Sequence, residues 1–360
     1  MAETSSASAS SERAAQSLKS RLATRALKRL GLRHVDTDAL TIRRRRQGDG
    51  FTYLDASGHT VRNKIVRARL KRLAVPPAYE DVLYAEDERA HIQAIGRDAA
   101  GRLQYRYHLE WEKVREQKKA RRLARLVKAL PRIRRHIGKH LGAAEPTRAF
   151  ALSAVIELVA CSAIRPGSES YARDNGTRGA ATLLKSNVAV SGPTITLKFR
   201  AKGGKDVRKE CRCPRLAGAL HVLRALPGRR LFQYRDDDGS IRVVTASEVN
   251  AFLREIAGVK ISLKDFRTLC ASGAALEALA HIAPATSARG RKRQVREAVT
   301  AISEQLANTP AICAKSYVHQ TVVMAFENGA LEKFSVTLKG RRSPARREQL
   351  LAQVMATMAA

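Results

Sequence analysis

Residues 305–321 read QLANTPAICAKSYVHQT, and the rest of the chain is best read outward from them. Thr309 followed by Pro310 is a helix start. A threonine side chain accepts from a backbone N–H of the first turn, and proline at the first helical position lacks only an N–H that had no helical partner. The positive end of that helix dipole then lies beside Asn308. Two turns on, Tyr317 stands among Lys315, Ser316, His319 and Gln320. Aromatic residues make up only 5% of the chain, and a tyrosine used for packing more often sits inside an apolar stripe. The segment therefore predicts a short helix that offers a phenol to polar neighbours.

Upstream, SLKDFRTLCASGAALEALAHIA and RKRQVREAVTAISEQLA read as helices. TASEVNAFLREIAG carries a capping box, Thr245 with Glu248, and a stop at Gly258. NVAVSGPTITLKFRAKGGKDVRKECR reads as strands turning at Ser191-Gly192 and Gly203-Gly204. AFALSAVIELVACSAI is the most apolar run; it is too short to span a bilayer and contains Glu157, so it predicts a buried helix. These elements make a domain over 147–338, followed by a basic helical segment at 339–360. Before it, EKVREQKKARRLARLVKALPRIRRHIGKHLG is a basic helical pattern broken by Pro131, giving connecting helices over 112–146. Residues 37–111 read as a small domain with two hairpins. FTYLDASGHTVR turns at Asp55–Gly58, HIQAIGRDAAGRLQYRYHLEW turns through Gly96–Gly101, and the basic helix NKIVRARLKRL lies between them. Residues 1–36, Ser/Ala-rich and then basic, predict a disordered tail. The expected class is α+β: a small N-terminal β-rich domain plus a larger, mainly α-helical domain containing a small β-sheet or hairpin.

The charge decides the partner. Sixty-seven Lys+Arg against 33 Asp+Glu leave +34 over 360 residues, which attracts polyanions and makes nucleic acid the leading partner. A hydrophobic fraction of 44% supports a sizeable core. The start has no apolar stretch of a secretory signal, so neither export nor a membrane is expected. Five scattered cysteines predict reduced thiols and a cytoplasmic location. Cys211-x-Cys213 lacks a second pair for zinc. RAKGGKDV lacks the earlier glycine and the following Ser/Thr of a phosphate-binding loop, and RDDDGS at 235–240 fits a hairpin turn better than a calcium loop. No metal, nucleotide or other cofactor is expected.

Chemistry on nucleic acid without these aids has definite needs. Transesterification at a phosphodiester takes a nucleophile, cations on the non-bridging oxygens and an acid for the departing alkoxide. Arginine suits the oxygens through its planar fork. Lysine suits the acid because burial beside arginines lowers its pKa. Tyrosine suits the nucleophile because its phenolate leaves well on resealing. Arg165 follows the apolar helix, Lys202 stands at a hairpin tip, Arg267 lies at the start of an apolar helix, and Asn308 and Tyr317 flank the Thr309-Pro310 start. Taken singly, each has an ordinary reading as an ion-pair partner, hairpin lysine, cap or boundary residue. Composition and spacing alone point only to a basic nucleic-acid-binding protein.

The order of the five, with their flanks, resembles the compact type IB DNA topoisomerases of the poxviral and bacterial kind over roughly residues 45–335. LKDFRT looks like the family's K-D-L-R-T segment, implying a catalytic arginine at Arg267. ANTPAICAKSYV looks like its G-H-T-P-x-x-x-x-x-x-Y segment, implying the nucleophile at Tyr317. AIRPGSESY is similar to the first-arginine segment at Arg165, and LKFRAKGGK to the hairpin carrying the catalytic lysine at Lys202, with Lys205 the nearby alternative. Asn308 stands where poxviral members have histidine; an amide still donates a hydrogen bond but does not titrate. Ala201 stands where the family has glycine. GRLQYRYHLEWEKVR resembles the hairpin that meets the duplex, implying DNA contacts at Tyr105, Tyr107 and Arg115, and Tyr171 matches a groove-facing tyrosine. Tyr105 and Tyr107 share one side of a strand, so both could equally pack on a sheet face.

The resemblance implies ATP- and metal-independent relaxation of supercoiled double-stranded DNA through a 3′-phosphotyrosyl intermediate, by a monomer that closes on the duplex as a clamp. A tyrosine recombinase shares the layout but usually carries H-x-x-R at the second arginine, where this chain has Lys264. A non-catalytic basic DNA-binding protein is the alternative from another class.

Overall fold

In the computed structural model, residues 27–338 and 344–357 are described. Residues 1–26 of the expected tail, and 339–343 and 358–360 of the C-terminal segment, lie outside them. Residues 27–36 correct the expectation that the tail runs to 36. Leu27 and Leu32 are buried with Trp111, and Leu30, Tyr107 and Val114 pack around them. The backbone is held as well, Arg33 N donating to Arg89 O at 2.8 Å and Val35 N to His91 Nδ1 at 3.2 Å. The leucines give this piece an apolar side to bury, which the Ser/Ala-rich start lacks.

The chain forms two compact units, Met1–Lys118 and Lys119–Ala360. The first holds strands β1 (Ile42–Gln47) and β2 (Gly50–Leu54), helix α1 (Lys64–Arg72), and strands β3 (Glu80–Tyr84), β4 (Ile92–Arg97) and β5 (Leu103–Tyr107). The strands make one antiparallel sheet in the order β2-β1-β3-β4-β5. Asn63 starts α1 by accepting from Ile65 N and Val66 N, and Leu70 of that helix packs with Ile42, Tyr53, Val82, Tyr84 and Ala94. The turn expected at Asp55–Gly58 is present, and β2 also pairs along its length with β1, from Gln47↔Gly50 to Arg43↔Leu54, a partner the sequence reading leaves out. That turn closes the Leu54↔Thr60 bridge, with Asp55 N donating to His59 O and Val61 N to Tyr53 O, both at 2.9 Å. The strand IRRRRQ escapes a reading by period because nothing apolar alternates along it. Arg44 is accommodated by lying 4.1 Å over the Phe51 ring and donating to the carbonyls of Val75, Pro76 and Tyr79.

Helix α2 (Leu109–Leu141) runs through Pro131, where the sequence predicts a break, and replaces the separate connecting segment expected over 112–146. Proline removes one backbone bond. Leu123, Leu126, Leu130, Ile133 and Ile137, all buried in the core of the second unit, hold the helix across that gap.

The second unit continues with α3 (Arg148–Ser162), α4 (Glu169–Asn175), strands β6 (Val188–Ser191), β7 (Thr194–Arg200) and β8 (Asp206–Arg212), and α5 (Pro214–Ala225). Then come β9 (Gln233–Arg235) and β10 (Ile241–Val243), α6 (Ala246–Ala257), α7 (Leu263–Ala280), α8 (Ala288–Gln305), α9 (Pro310–Ser316), α10 (Gln320–Glu327), α11 (Glu332–Leu338) and α12 (Pro344–Thr357). The fold is thus α+β, with a β-rich N-terminal unit and a mainly helical second unit around small antiparallel sheets. Helix α3 is apolar on all sides and is central, as such helices must be, with Phe150, Leu152, Val155, Ile156 and Val159 fully buried. Strands β6-β7-β8 form a meander whose β7–β8 hairpin ends in Gly203 and Gly204, at φ +79° and +71°, a backbone that favours glycine. No helix among the described residues is long and apolar enough to cross a membrane.

One further correction concerns sulfur. The sequence predicts reduced thiols throughout, yet Cys161 and Cys211 form a disulfide with Cα atoms 6.3 Å apart and a sequence separation of 50. The C-terminal ends of α3 and β8 meet there, a proximity that cysteine spacing does not reveal. A cross-link closing a loop of that length stabilises by about 4 kcal/mol on chain-entropy grounds. Reduction should therefore lower the melting temperature of the whole chain by several degrees. Calorimetry with and without reductant, with thiol alkylation counted by mass, measures it.

Candidate active site

Helix α3 ends at Ala163 in the left-handed region, φ +53°, and Ala307 after α8 has φ +49°. A non-glycine residue held there costs on the order of 1–3 kcal/mol and persists only where its surroundings demand it. Both alanines aim a carbonyl at an arginine. Ala163 O accepts from Arg267 Nη1, and Ala307 O accepts from Arg165 Nη1 at 3.2 Å.

Arg267 owes its place to the start of α7, where Ser262 N donates to Asp265 Oδ2 at 2.8 Å and Arg122 Nη2 to the same oxygen at 2.7 Å. Only 1% of Arg267 is exposed, and its Nη2 donates to Leu306 O at 3.1 Å. A buried guanidinium needs such acceptors. Its central carbon lies 4.8 Å over the ring of Tyr317. Arg165 Nη2 donates to Asn308 Oδ1, which turns the amide so that its Nδ2 faces the other way. That Nδ2 is buried and makes no hydrogen bond among the described residues.

Thr309 caps α9 by accepting from Ile312 N at 3.3 Å, and Tyr317 ends the helix, largely buried. Burial pushes its phenol pKa upward, but the charges of Arg267, Arg165 and Lys264 outweigh burial and hold it below the usual value. Arg165 is itself lowered, by burial first and then by Arg267.

Of the hairpin lysines, Lys205 reaches the group, its Nζ donating to Asn308 O at 3.2 Å. Lys202 is exposed at the tip, 5.2 Å over the ring of Tyr171, which is itself 42% exposed. On β8, the strand that follows the tip, Lys209 Nζ donates to Ser162 O at 2.5 Å beside the turn that leads to Arg165. Burial and the Arg267 charge bring its pKa down to about 8.

The second unit therefore gathers Arg165, Arg267, Asn308, Tyr317 and Lys205, and leaves Lys202 and Tyr171 together on an exposed edge. In the first unit, Tyr105 is 41% exposed and stacks on Tyr107 at 5.9 Å, while Arg115 lies 4.4 Å over Tyr107. Sequence reasoning assigns no role to Lys264, although it stands one helical turn before Arg267, a spacing that puts both on one face. It also passes over the exposed Arg43, Arg45 and Arg46 of β1.

Residues 50–98 match the family described as Bacterial DNA topoisomerase IB, N-terminal domain, and residues 109–340 match Eukaryotic DNA topoisomerase I, catalytic core. The DNA topoisomerase 1B of Acanthamoeba polyphaga mimivirus is 30% identical over 295 residues, which cover 80% of this chain and 88% of that protein. With a core match spanning more than half its length, and a relative aligned across both units, the chain belongs to the type IB DNA topoisomerases.

Proposed function

We propose that this enzyme relaxes supercoiled duplex DNA by attack of Tyr317 Oη on a backbone phosphorus. The attack breaks the bond to the 5′ oxygen and leaves a 3′-phosphotyrosyl link. Arg165 and Arg267 bear on the non-bridging oxygens, Asn308 donates through Nδ2, and a hairpin lysine, Lys202 or the neighbouring Lys205, protonates the departing 5′ oxygen. The ester keeps the energy of the broken bond, so resealing needs no nucleotide. Tyr105, Tyr107 and Arg115 contact DNA from the N-terminal unit and Tyr171 from the catalytic one. The chain works as a monomer that closes on the duplex as a clamp.

One observation carries this reading. Asn308 holds a buried donor with no partner among the described residues, beside two guanidinium groups and a phenol whose pKa is lowered. Burying an unmade donor is costly, and a phosphoryl oxygen is an acceptor that would satisfy it. Denaturing the enzyme on duplex DNA and mapping the linked residue by mass spectrometry tests the reading. A DNA adduct on Tyr317 is expected, and an adduct elsewhere overturns it. Supercoiled plasmid in EDTA should yield a ladder of relaxed topoisomers, whereas a recombinase would need paired sites and give joined products.

The acid is separable by its leaving group. K202A should slow cleavage by about 10²–10⁴-fold on ordinary DNA. A substrate with sulfur in the 5′-bridging position should erase most of that loss, because a thiolate departs without a proton. If K205A rather than K202A shows this pattern, the acid is the lysine that reaches Asn308 O.

A further inference from the structure

Two short helices meet at the candidate nucleophile, and their junction has an unusual support. Helix α9 ends at Tyr317, φ −126° and ψ −37°, with Tyr317 N and Val318 N both donating to Cys313 O at 3.0 Å. The next helix begins at Gln320, behind a His319 cap. At such a break the Tyr317 carbonyl and the His319 N–H fall outside either helix's ladder. Both turn to one atom of another helix. Ser272 Oγ donates to Tyr317 O at 3.1 Å and accepts from His319 N at 3.0 Å. Ser272 is 0% exposed, so water does not replace it.

Ser272 and Arg267 belong to the same helix, α7. One rigid element thus holds Tyr317 twice, at the backbone through a hydroxyl and at the ring through a guanidinium 4.8 Å away. Without the hydroxyl, both backbone groups lose their bond to α7, and nothing there opposes rewinding of α9 toward a continuous helix. A rewound helix rotates residue 317 about its axis and carries the ring off Arg267.

We infer that Ser272 is a positioning residue for DNA cleavage, keeping the α9–α10 junction open so that the Tyr317 oxygen stays in register with Arg267. The inference rests on the assignment of Tyr317 as nucleophile. It concerns the approach of the reacting oxygen and not the grip on DNA, and misplacement by about an ångström costs up to about 10²-fold in rate.

The test compares S272A, Y317F and S153A in the full-length enzyme. Ser153 is a second fully buried serine, whose Oγ makes no hydrogen bond among the described residues, so S153A removes a buried hydroxyl of no directional use. The readouts are single-turnover cleavage of a nicked duplex, its pH dependence, duplex affinity by fluorescence anisotropy, and melting temperature. S272A should cleave about 10- to 100-fold more slowly with affinity within about twofold of the parent. The rise of its rate with pH should move to higher pH, because the phenol loses the guanidinium that lowers its pKa. S153A should cleave normally. Parental cleavage by S272A beside an inert Y317F overturns the positioning role alone. Loss of rate in step with affinity and melting temperature, with the pH profile unmoved, shows general damage and also overturns it. Cleavage by Y317F removes the nucleophile and the inference with it.

Discussion

Y317F should abolish plasmid relaxation and the denaturant-trapped adduct, a loss of at least about 10⁴-fold, while duplex affinity changes by no more than about threefold. The substitution removes one oxygen and leaves the ring over Arg267. Cation–ring attraction survives it, and the stability change should stay near about 1 kcal/mol. The separation of rate from affinity is the informative part. A chain of charge +34 binds duplex through many phosphate contacts, and one phenol contributes little to that sum. Relaxation by Y317F at the parental rate would sink the mechanism and return the protein to the class of DNA-binding proteins without chemistry.

R267A should lower the cleavage rate by about 10²–10³-fold, the range for removing one preorganised donor from a developing oxyanion. Arg267 also supports structure. Its two carbonyl acceptors, Ala163 O and Leu306 O, would be left without it, at about 1–3 kcal/mol each, so R267A should melt earlier as well. R267K separates the two functions, since it keeps a charge near the phenol but cannot span both carbonyls with a planar fork. The pH profile has a defined sign. The Tyr317 pKa is held down by Arg267, so loss of that charge lets it rise, and the increase of cleavage with pH should shift upward in R267A. R267K should stay closer to the parent. Identical pH profiles for all three proteins would show that Arg267 does not act on the phenol.

Much of the site can be read along the chain because several of its parts are local. Thr309-Pro310 starts a helix by capping chemistry that depends on a few adjacent residues, and the helix begins there. Thr245 with Glu248, and Gly258, bound α6 for the same reason. The β7–β8 hairpin follows from alternation and two glycines. Other features resist such reading because their causes are distant. Strand β1 has no apolar alternation and is a strand because β2 and β3 pair with it. Helix α2 crosses Pro131 because one flank of it is buried. Ala163 and Ala307 carry no mark in sequence of a left-handed backbone, since alanine prefers the opposite, and only the arginines that use their carbonyls explain them.

By itself the sequence determined the charge that draws the protein to DNA, the caps that bound its helices, and the order of arginine, lysine, arginine, asparagine and tyrosine along the chain. Those depend on residue type and short spacing, which folding does not alter. Only the tertiary structure decided which lysine touches Asn308, which way the amide turns its unmatched donor, and that Ser272 bonds the backbone at Tyr317. Each of these is a bond between residues at least 45 apart, formed when the burial of α3 and α7 draws their surroundings together, and no local rule encodes such distances.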